Sequence, residues 1–334
     1  MIRFLQKTSA IFLTTALSVL LLTACGTANT NTSNSNTTAT PLPTAETTAE
    51  KPSTRSYKDV LGRTVEIPAA PEKIIAHFYA AELKALNVPM IGTNFMNAKL
   101  ALTDEQLKGI EDIGGDGLSP NLEKTLSLKP DLILVPDFLE QDDVEALSKI
   151  APTVAISYSA DVFTRLRTLA EIVGKPETAE NWIQAYEKKA AEKLALVQSR
   201  IGKGETASAF ILYAADKQLY VYNKQRLGPT MYDAFGFTMP PKVSQLFSSE
   251  PDSLWKNISM ETLPDYAGDW IFLVSSDDTE ESKKAVEELL KSPVWKSLPA
   301  VKNGKAYVVD KRWGMNDPLT LDWLLDEMAR ILGK

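Results

Sequence analysis

Two side chains bound the chemistry that this chain can do. Its 334 residues include one histidine, His77, and one cysteine, Cys25. A Ser-His-Asp or Cys-His hydrolase would have to be built on His77. A lone cysteine forms no internal disulfide, and a zinc site of His and Cys ligands runs short of donors. Neither Gly-x-Ser-x-Gly nor a phosphate-cradling Gly-x-x-x-x-Gly-Lys-Ser/Thr loop occurs in the chain. Acidic residues number 43 against 36 basic ones, so carboxylate-only glycosidase chemistry stays open by count, although no assignable pair stands out. The formal charge of −7 argues against a nucleic-acid partner.

The remaining candidates are residues placed for non-covalent recognition. Ligands of open α/β sheets bind at the carboxyl ends of strands. That rule selects His77 and Tyr79 after one apolar run, Asn94 and Phe95 after the next, and Phe138 after a third. A lone histidine also has plainer roles, in the core or at the surface.

These residues need a scaffold. With 44% hydrophobic and 24% charged residues the composition is that of a globular protein, and the length fits roughly two domains of about 100–200 residues each. From Tyr57 onward short apolar runs alternate with amphipathic stretches, the pattern of α/β organisation. Strands are predicted at 73–78, 89–92, 131–135 and 153–156, then at 207–214, 219–222, 270–275 and 306–309. Helices are predicted at 80–86, 120–126, 142–149 and 162–173, then at 229–235, 280–290 and 319–332.

Between the halves runs the longest helical pattern, from Pro176 to about Arg200, closed by Gly202-Lys203-Gly204. Trp182, Tyr186, Ala190, Leu194, Val197 and Ile201 recur at spacings of three or four and share one stripe. At about 1.5 Å per residue such a helix reaches about 37 Å, long enough to join two lobes; a helix packed within one domain is the alternative. An internal echo favours two lobes. Glu123 precedes Asp131 by eight residues and Glu261 precedes Asp269 by eight, and an apolar strand follows each Asp.

The N-terminus reads as an address. Arg3 and Lys7 precede an apolar run over 11–22, and small residues follow at Ala24-Cys25-Gly26. That is the layout of an export signal, too short and too interrupted for a comfortable membrane span. Residues 27–56, rich in Thr, Asn, Ser, Ala and Pro, bury too little surface to offset their ordering entropy and are predicted to be a tether.

Leu22-Thr23-Ala24-Cys25 resembles the lipobox of bacterial lipoproteins, whose cysteine is lipidated. The lipobox, the 121–135 segment, the central helix, the 261–274 unit and the ending 294–307 with Trp313 together resemble the substrate-binding lipoproteins of ABC importers for iron–siderophore complexes. The resemblance covers about residues 57–334. It implies an α/β fold of two Rossmann-like lobes joined by a single long helix, with the ligand in a shallow cleft between them. The implied layout is a signal peptide at 1–24, the lipidated Cys25 and tether at 25–56, an N-terminal lobe at 57–175, the connecting helix at 176–202 and a C-terminal lobe at 203–334.

The resemblance also implies site residues. One glutamate per lobe docks on the importer's permease, and Glu123 and Glu261 match those positions; the plainer reading of each is a carboxylate favoured by a helix N-terminus. Residues 220–228, followed by Tyr232, resemble the strand–loop–helix of hydroxamate-siderophore binders, which makes Tyr222 and Arg226 candidates, Arg226 for ligand oxygens. Lys224 stands where that group usually has an aromatic residue. Trp255 and Trp313 fall at cleft positions of the family, with core packing as the alternative for each.

The expected function is therefore capture of a ferric siderophore, hydroxamate type favoured, at the outer face of the cell membrane and its delivery to an ABC importer permease with its ATPase. Ferric citrate, a catecholate, haem or a cobalamin could replace it, with His77 or Tyr79 as the axial ligand haem would need. A membrane-anchored carboxylate-dependent hydrolase is the alternative from another class. The expected protein is no enzyme, holds no cofactor beyond the iron chelated in its ligand, binds no nucleic acid and is a monomer.

Overall fold

The computed structural model describes residues 53–213, 218–275 and 279–333. The export signal, Cys25 and all of the tether up to residue 52 lie outside the described residues.

Twelve strands form three sheets among the described residues. An antiparallel hairpin pairs β1 (Thr54–Lys58) with β2 (Thr64–Pro68). The first lobe is built on β3 (Ile74–Ala76), β4 (Gly92–Thr93), β5 (Glu111–Asp112), β6 (Leu132–Pro136) and β7 (Thr153–Ile156). They lie in the order β5-β4-β3-β6-β7, all parallel. The second lobe holds β8 (Ala207–Tyr213), β9 (Gln218–Tyr222), β10 (Trp255–Ile258), β11 (Trp270–Ser275) and β12 (Ala306–Asp310) in the order β10-β9-β8-β11-β12. There β8, β11 and β12 are parallel, and β9 runs antiparallel to both its neighbours.

Side-chain alternation turns each sheet into the middle of three layers. Ile74, Ala76, Leu132 and Leu134 enter one core, while Ile75, Ile133 and Val135 enter another on the opposite face. Phe272 and Val274 likewise part from Ile271 and Leu273. Near-continuous apolar runs are what a strand covered on both faces requires.

The helix Pro176–Val197 continues as a 3-10 turn over Gln198–Arg200. Its Ala179 and Ile183 belong to the first lobe's core, and its Tyr186, Ala190 and Val197 to the second lobe's. One apolar stripe thus anchors the helix in both lobes. The C-terminal helix Pro318–Leu332 lies along it, with Lys189 Nζ 2.8 Å from both Asp322 and Asp326. No helix among the described residues is long and apolar enough to cross a membrane.

The echo between the halves has a structural basis. Asp131 accepts the backbone N–H groups of Glu72 and Lys73, just before β3, at 2.8 and 2.9 Å. Asp269 accepts that of Thr206, just before β8, at 2.8 Å. In each lobe the Asp heading one central strand clamps the start of its parallel neighbour. Two residues before each echoed glutamate stands a cap, Asn121 accepting from Lys124 N and Ser259 from Thr262 N.

The expected tether boundary at 56 is corrected, since β1 begins at Thr54. Alternating exposure along β1 and donation from the Arg55 guanidinium to the carbonyl of Glu171 at 2.8 Å tie this stretch to the first lobe.

Candidate ligand-binding site

Strand ends of the first lobe carry a cluster of rings. Phe78 follows β3, Phe138 follows β6 and Tyr158 follows β7. Phe138 and Tyr158 meet edge to face with centroids 5.1 Å apart, and Phe78 meets Phe138 at 5.5 Å. Such pairs are worth about 0.5–1.5 kcal/mol each beyond their burial. Asp137 accepts the backbone N–H of Tyr158 at 3.0 Å, which holds the two loops together. Phe138 remains 41% exposed and Tyr158 half-exposed.

The second lobe answers with a wall on β8, β9 and β10. Trp255 pairs across the ladder with Tyr222, and its ring lies 6.1 Å from Tyr222, 6.4 Å from Tyr220 and 6.4 Å from Tyr213. The Arg226 guanidinium sits over the Trp255 ring at 4.4 Å and over Tyr222 at 5.6 Å. Arg226 adopts a left-handed backbone, φ 60°, which turns its side chain back onto this wall. Its backbone N–H donates to Asn316 Oδ1 at 3.2 Å and its guanidinium to the carbonyl of Gly314. A Cβ on Gly314 would fall 2.8 Å from the Tyr222 hydroxyl, so only glycine permits this approach.

Arg226 is 8% exposed, makes no ion pair among the described residues, and its Nε has no partner. A buried cation without a counter-ion is costly. The wall supplies ring faces and one carbonyl, none of which neutralises the charge. Burial pushes the Tyr222 hydroxyl well above its usual range, against the opposing pull of the Arg226 charge and with small additions from Tyr213 and Tyr158, so it stays neutral. The two walls are thus close neighbours, and Gln225 Nε2 donates across to the Ser159 carbonyl at 3.4 Å. Beside them opens an interlobe cavity of about 620 Å³ between the segment after β7 and the loop after β9, a volume suited to a small-molecule ligand.

The described chain matches the family model of the periplasmic binding proteins over residues 89–313. The chain belongs to this family. It is 31% identical over 297 residues to the iron(3+)-hydroxamate-binding protein YxeB of Bacillus subtilis, covering 87% of this chain and 88% of the relative. The FhuD protein from S. pseudintermedius superposes with a TM-score of 0.72 at 28% identity, over 84% of this chain and 98% of that one. FhuD2 from Staphylococcus aureus with bound ferrioxamine B gives 0.67 at 29% identity, over 78% and 98%. The two-lobe architecture with its single long helix is this family's, and the family is one of binding proteins rather than enzymes.

Within this periplasmic binding protein Arg226, Trp255 and Tyr222 pack against one another, Tyr222 itself buried in the second core at 1% exposure, while Phe138 belongs to the ring cluster of the first lobe. The structure spends other candidates internally. Tyr79 is wholly buried and donates to the Ile156 carbonyl at 2.9 Å. Asn94 is 1% exposed and caps the helix Phe95–Ala101, while Phe95 packs on the first core. Trp313 is 3% exposed, stacked on Phe272 at 5.7 Å, so core packing holds there. His77 is buried with neither ring nitrogen hydrogen-bonded, and burial lowers its pKa to about 4. Neither His77 nor Tyr79 reaches the cleft, which removes the axial ligands on which the haem alternative rested. Glu123 and Glu261 are exposed at equivalent positions of their lobes. Tyr158 and Tyr213 were missed, although the strand-end rule that selected Phe138 applies equally to both.

Proposed function

We propose that this periplasmic binding protein is the lipid-anchored, extracytoplasmic solute receptor of an ABC importer, and that its ligand is a ferric siderophore of the hydroxamate type. The observation that carries this reading is the buried, unpaired guanidinium of Arg226 set in an aromatic wall. A ferric tris-hydroxamate gathers its anionic oxygens around the metal and joins them by apolar linkers. Guanidinium N–H groups suit the first feature and ring faces and edges the second. Iron enters with its coordination sphere filled by the chelator, so the protein supplies neither cofactor nor metal ligand. The names of the relative and of the ligand-bound structure support the hydroxamate class.

In the same reading Cys25 carries the lipid once residues 1–24 are removed, and residues up to the first strand give the body reach from the membrane. Glu123 and Glu261 meet arginines of the permease, and one monomer serves one importer. Equilibrium titration of the purified chain, followed by tryptophan fluorescence, tests the ligand class. Saturable quenching by a ferric trihydroxamate, weaker with the iron-free chelator and leaving the chelate chemically unchanged, is expected. Equal response to both forms, or conversion of the chelate, overturns the reading.

A further inference from the structure

Arg226 stands in a turn that its own residue type does not favour. With φ 60° it lies in the left-handed region, and the Gly228 N–H closes the turn on the Gln225 carbonyl at 2.9 Å. A residue with a Cβ keeps that conformation only where its surroundings over-determine it. Three contacts hold this turn. The Arg226 N–H donates to Asn316 Oδ1 at 3.2 Å, its guanidinium to the Gly314 carbonyl, and Gln225 Nε2 to the Ser159 carbonyl at 3.4 Å.

Two of these anchors, Asn316 and Ser159, are set by one buried side chain of the first lobe. Arg165, on the helix Val162–Ile172 and 1% exposed, donates to the backbone carbonyl of Asn316. It also donates to the carbonyls of Tyr158 and Ala160, at 2.9 and 3.3 Å, which flank Ser159. Its Nε is held in turn by Glu82 Oε1 at 2.8 Å. A guanidinium offers its N–H donors in one fixed plane, so it fixes the directions of all these groups together. The same guanidinium lies 5.8 Å from the centroid of the Tyr158 ring, which ties the brace to the first lobe's ring cluster.

Asn316 is the link between brace and turn. It is 3% exposed, its backbone carbonyl accepts from Arg165, and its Oδ1 accepts from the Arg226 N–H. Its Nδ2 has no hydrogen-bond partner among the described residues. A buried amide with an unused donor is costly, so the acceptor oxygen is what this position uses. We infer that Asn316 is a positioning residue for ligand capture: anchored by Arg165, it holds Arg226 in its left-handed turn and keeps the guanidinium over Trp255 and Tyr222 before a ligand arrives. Preorganisation of this kind raises affinity by removing an ordering cost from the binding step. Asn316 acts through Arg226 and not on the ligand. This rests on the reading of Arg226 as the group that meets the ligand.

The test is a double-mutant cycle on the purified full chain, titrated with one ferric trihydroxamate and followed by tryptophan fluorescence. Asn316→Ala removes Oδ1 but keeps the backbone carbonyl on which Arg165 rests, so the fold is expected to persist, read by circular dichroism and melting temperature. Asn316→Val, which fills more of the space and likewise lacks the acceptor, is read beside it with the same expectations. Binding is expected to weaken roughly ten-fold in the wild-type background and by less than about two-fold in the Arg226→Ala background. In the unliganded protein Asn316→Ala is expected to shift the tryptophan emission, because the cation leaves the Trp255 ring that it covers at 4.4 Å. That shift is expected to be absent in the Arg226→Ala background. An affinity within about two-fold of wild type, an equal loss in both backgrounds, or an unmoved emission spectrum overturns the inference while the reading of Arg226 stands. Wild-type affinity in Arg226→Ala overturns that reading and the inference with it.

Discussion

His77 holds the chain's one imidazole, so its titration can be read without overlap from any other. Burial lowers its pKa to about 4, with Asp143 opposing weakly. Imidazole resonances are expected to shift with a midpoint near pH 4 rather than near the usual 6.5, and NMR titration checks it. The folded state binds the proton less well than the unfolded one, so His77 contributes stability above pH 6.5 that is lost as pH falls toward 4. Wild type is therefore expected to lose melting temperature relative to His77→Phe over that window; a midpoint near 6.5 would place the ring in water. The strand-end rule pointed to Phe138, and the family resemblance pointed to Arg226 and Trp255. They did not separate these from Tyr79, Asn94 and Trp313. A strand end says where a ligand lies, but successive side chains point to opposite faces, and nothing in a single sequence says which face is covered.

Three elements meet at one buried ion pair. Arg165, on the helix Val162–Ile172, donates from Nε to Glu82 Oε1 at 2.8 Å, both side chains almost fully buried, and reaches the Asn316 carbonyl ahead of the C-terminal helix. It thus links the first lobe to the segment that also holds Arg226. Glu82→Leu would strand the buried guanidinium and is expected to cost about 3–5 kcal/mol, read by urea unfolding; a loss under 1 kcal/mol would show the pair to be dispensable. Burial outweighs Arg165 and raises the Glu82 carboxyl to about 7. Its stability contribution is then greatest below pH 4.5 and declines as pH rises through 7, opposite in sign to that of His77. The two slopes partly cancel in the wild type, which is why each needs its own variant as reference. Among elements, the strands at 153–156 and 270–275 stand where the apolar runs placed them, because a strand covered on both faces needs such a run. β1, β2, β5 and β10 escaped notice. β10 reads Trp-Lys-Asn-Ile and β5 has two residues, too short and too polar for periodicity to register.

At the scale of the molecule, the connecting helix shares one stripe between two cores, and the C-terminal helix lies along it with Leu319 against the first core and Leu321, Leu324 and Leu325 in the second. Anchored twice by the helix, both lobes carry an exposed glutamate, the arrangement that the proposed docking on a permease would use. The double variant Glu123→Ala with Glu261→Ala is expected to keep ligand affinity within about two-fold and to abolish uptake of the radiolabelled chelate by cells. Uptake at the wild-type rate would remove the docking role from these two carboxylates. The duplicated clamp of Asp131 and Asp269 explains why the echo between the halves was readable: it marks the same helix–strand joint made twice.

The most direct test of ligand capture is the affinity of one ferric trihydroxamate for the wild type and for Arg226→Ala, measured side by side by quenching of tryptophan fluorescence. Trp255 lies under the guanidinium, so a ligand bound there must alter its emission. Saturable one-to-one quenching in the wild type, weakened at least ten-fold in Arg226→Ala with its fold and melting temperature retained, is the expected result. Equal affinity in the two proteins would contradict it and move the ligand away from the aromatic wall.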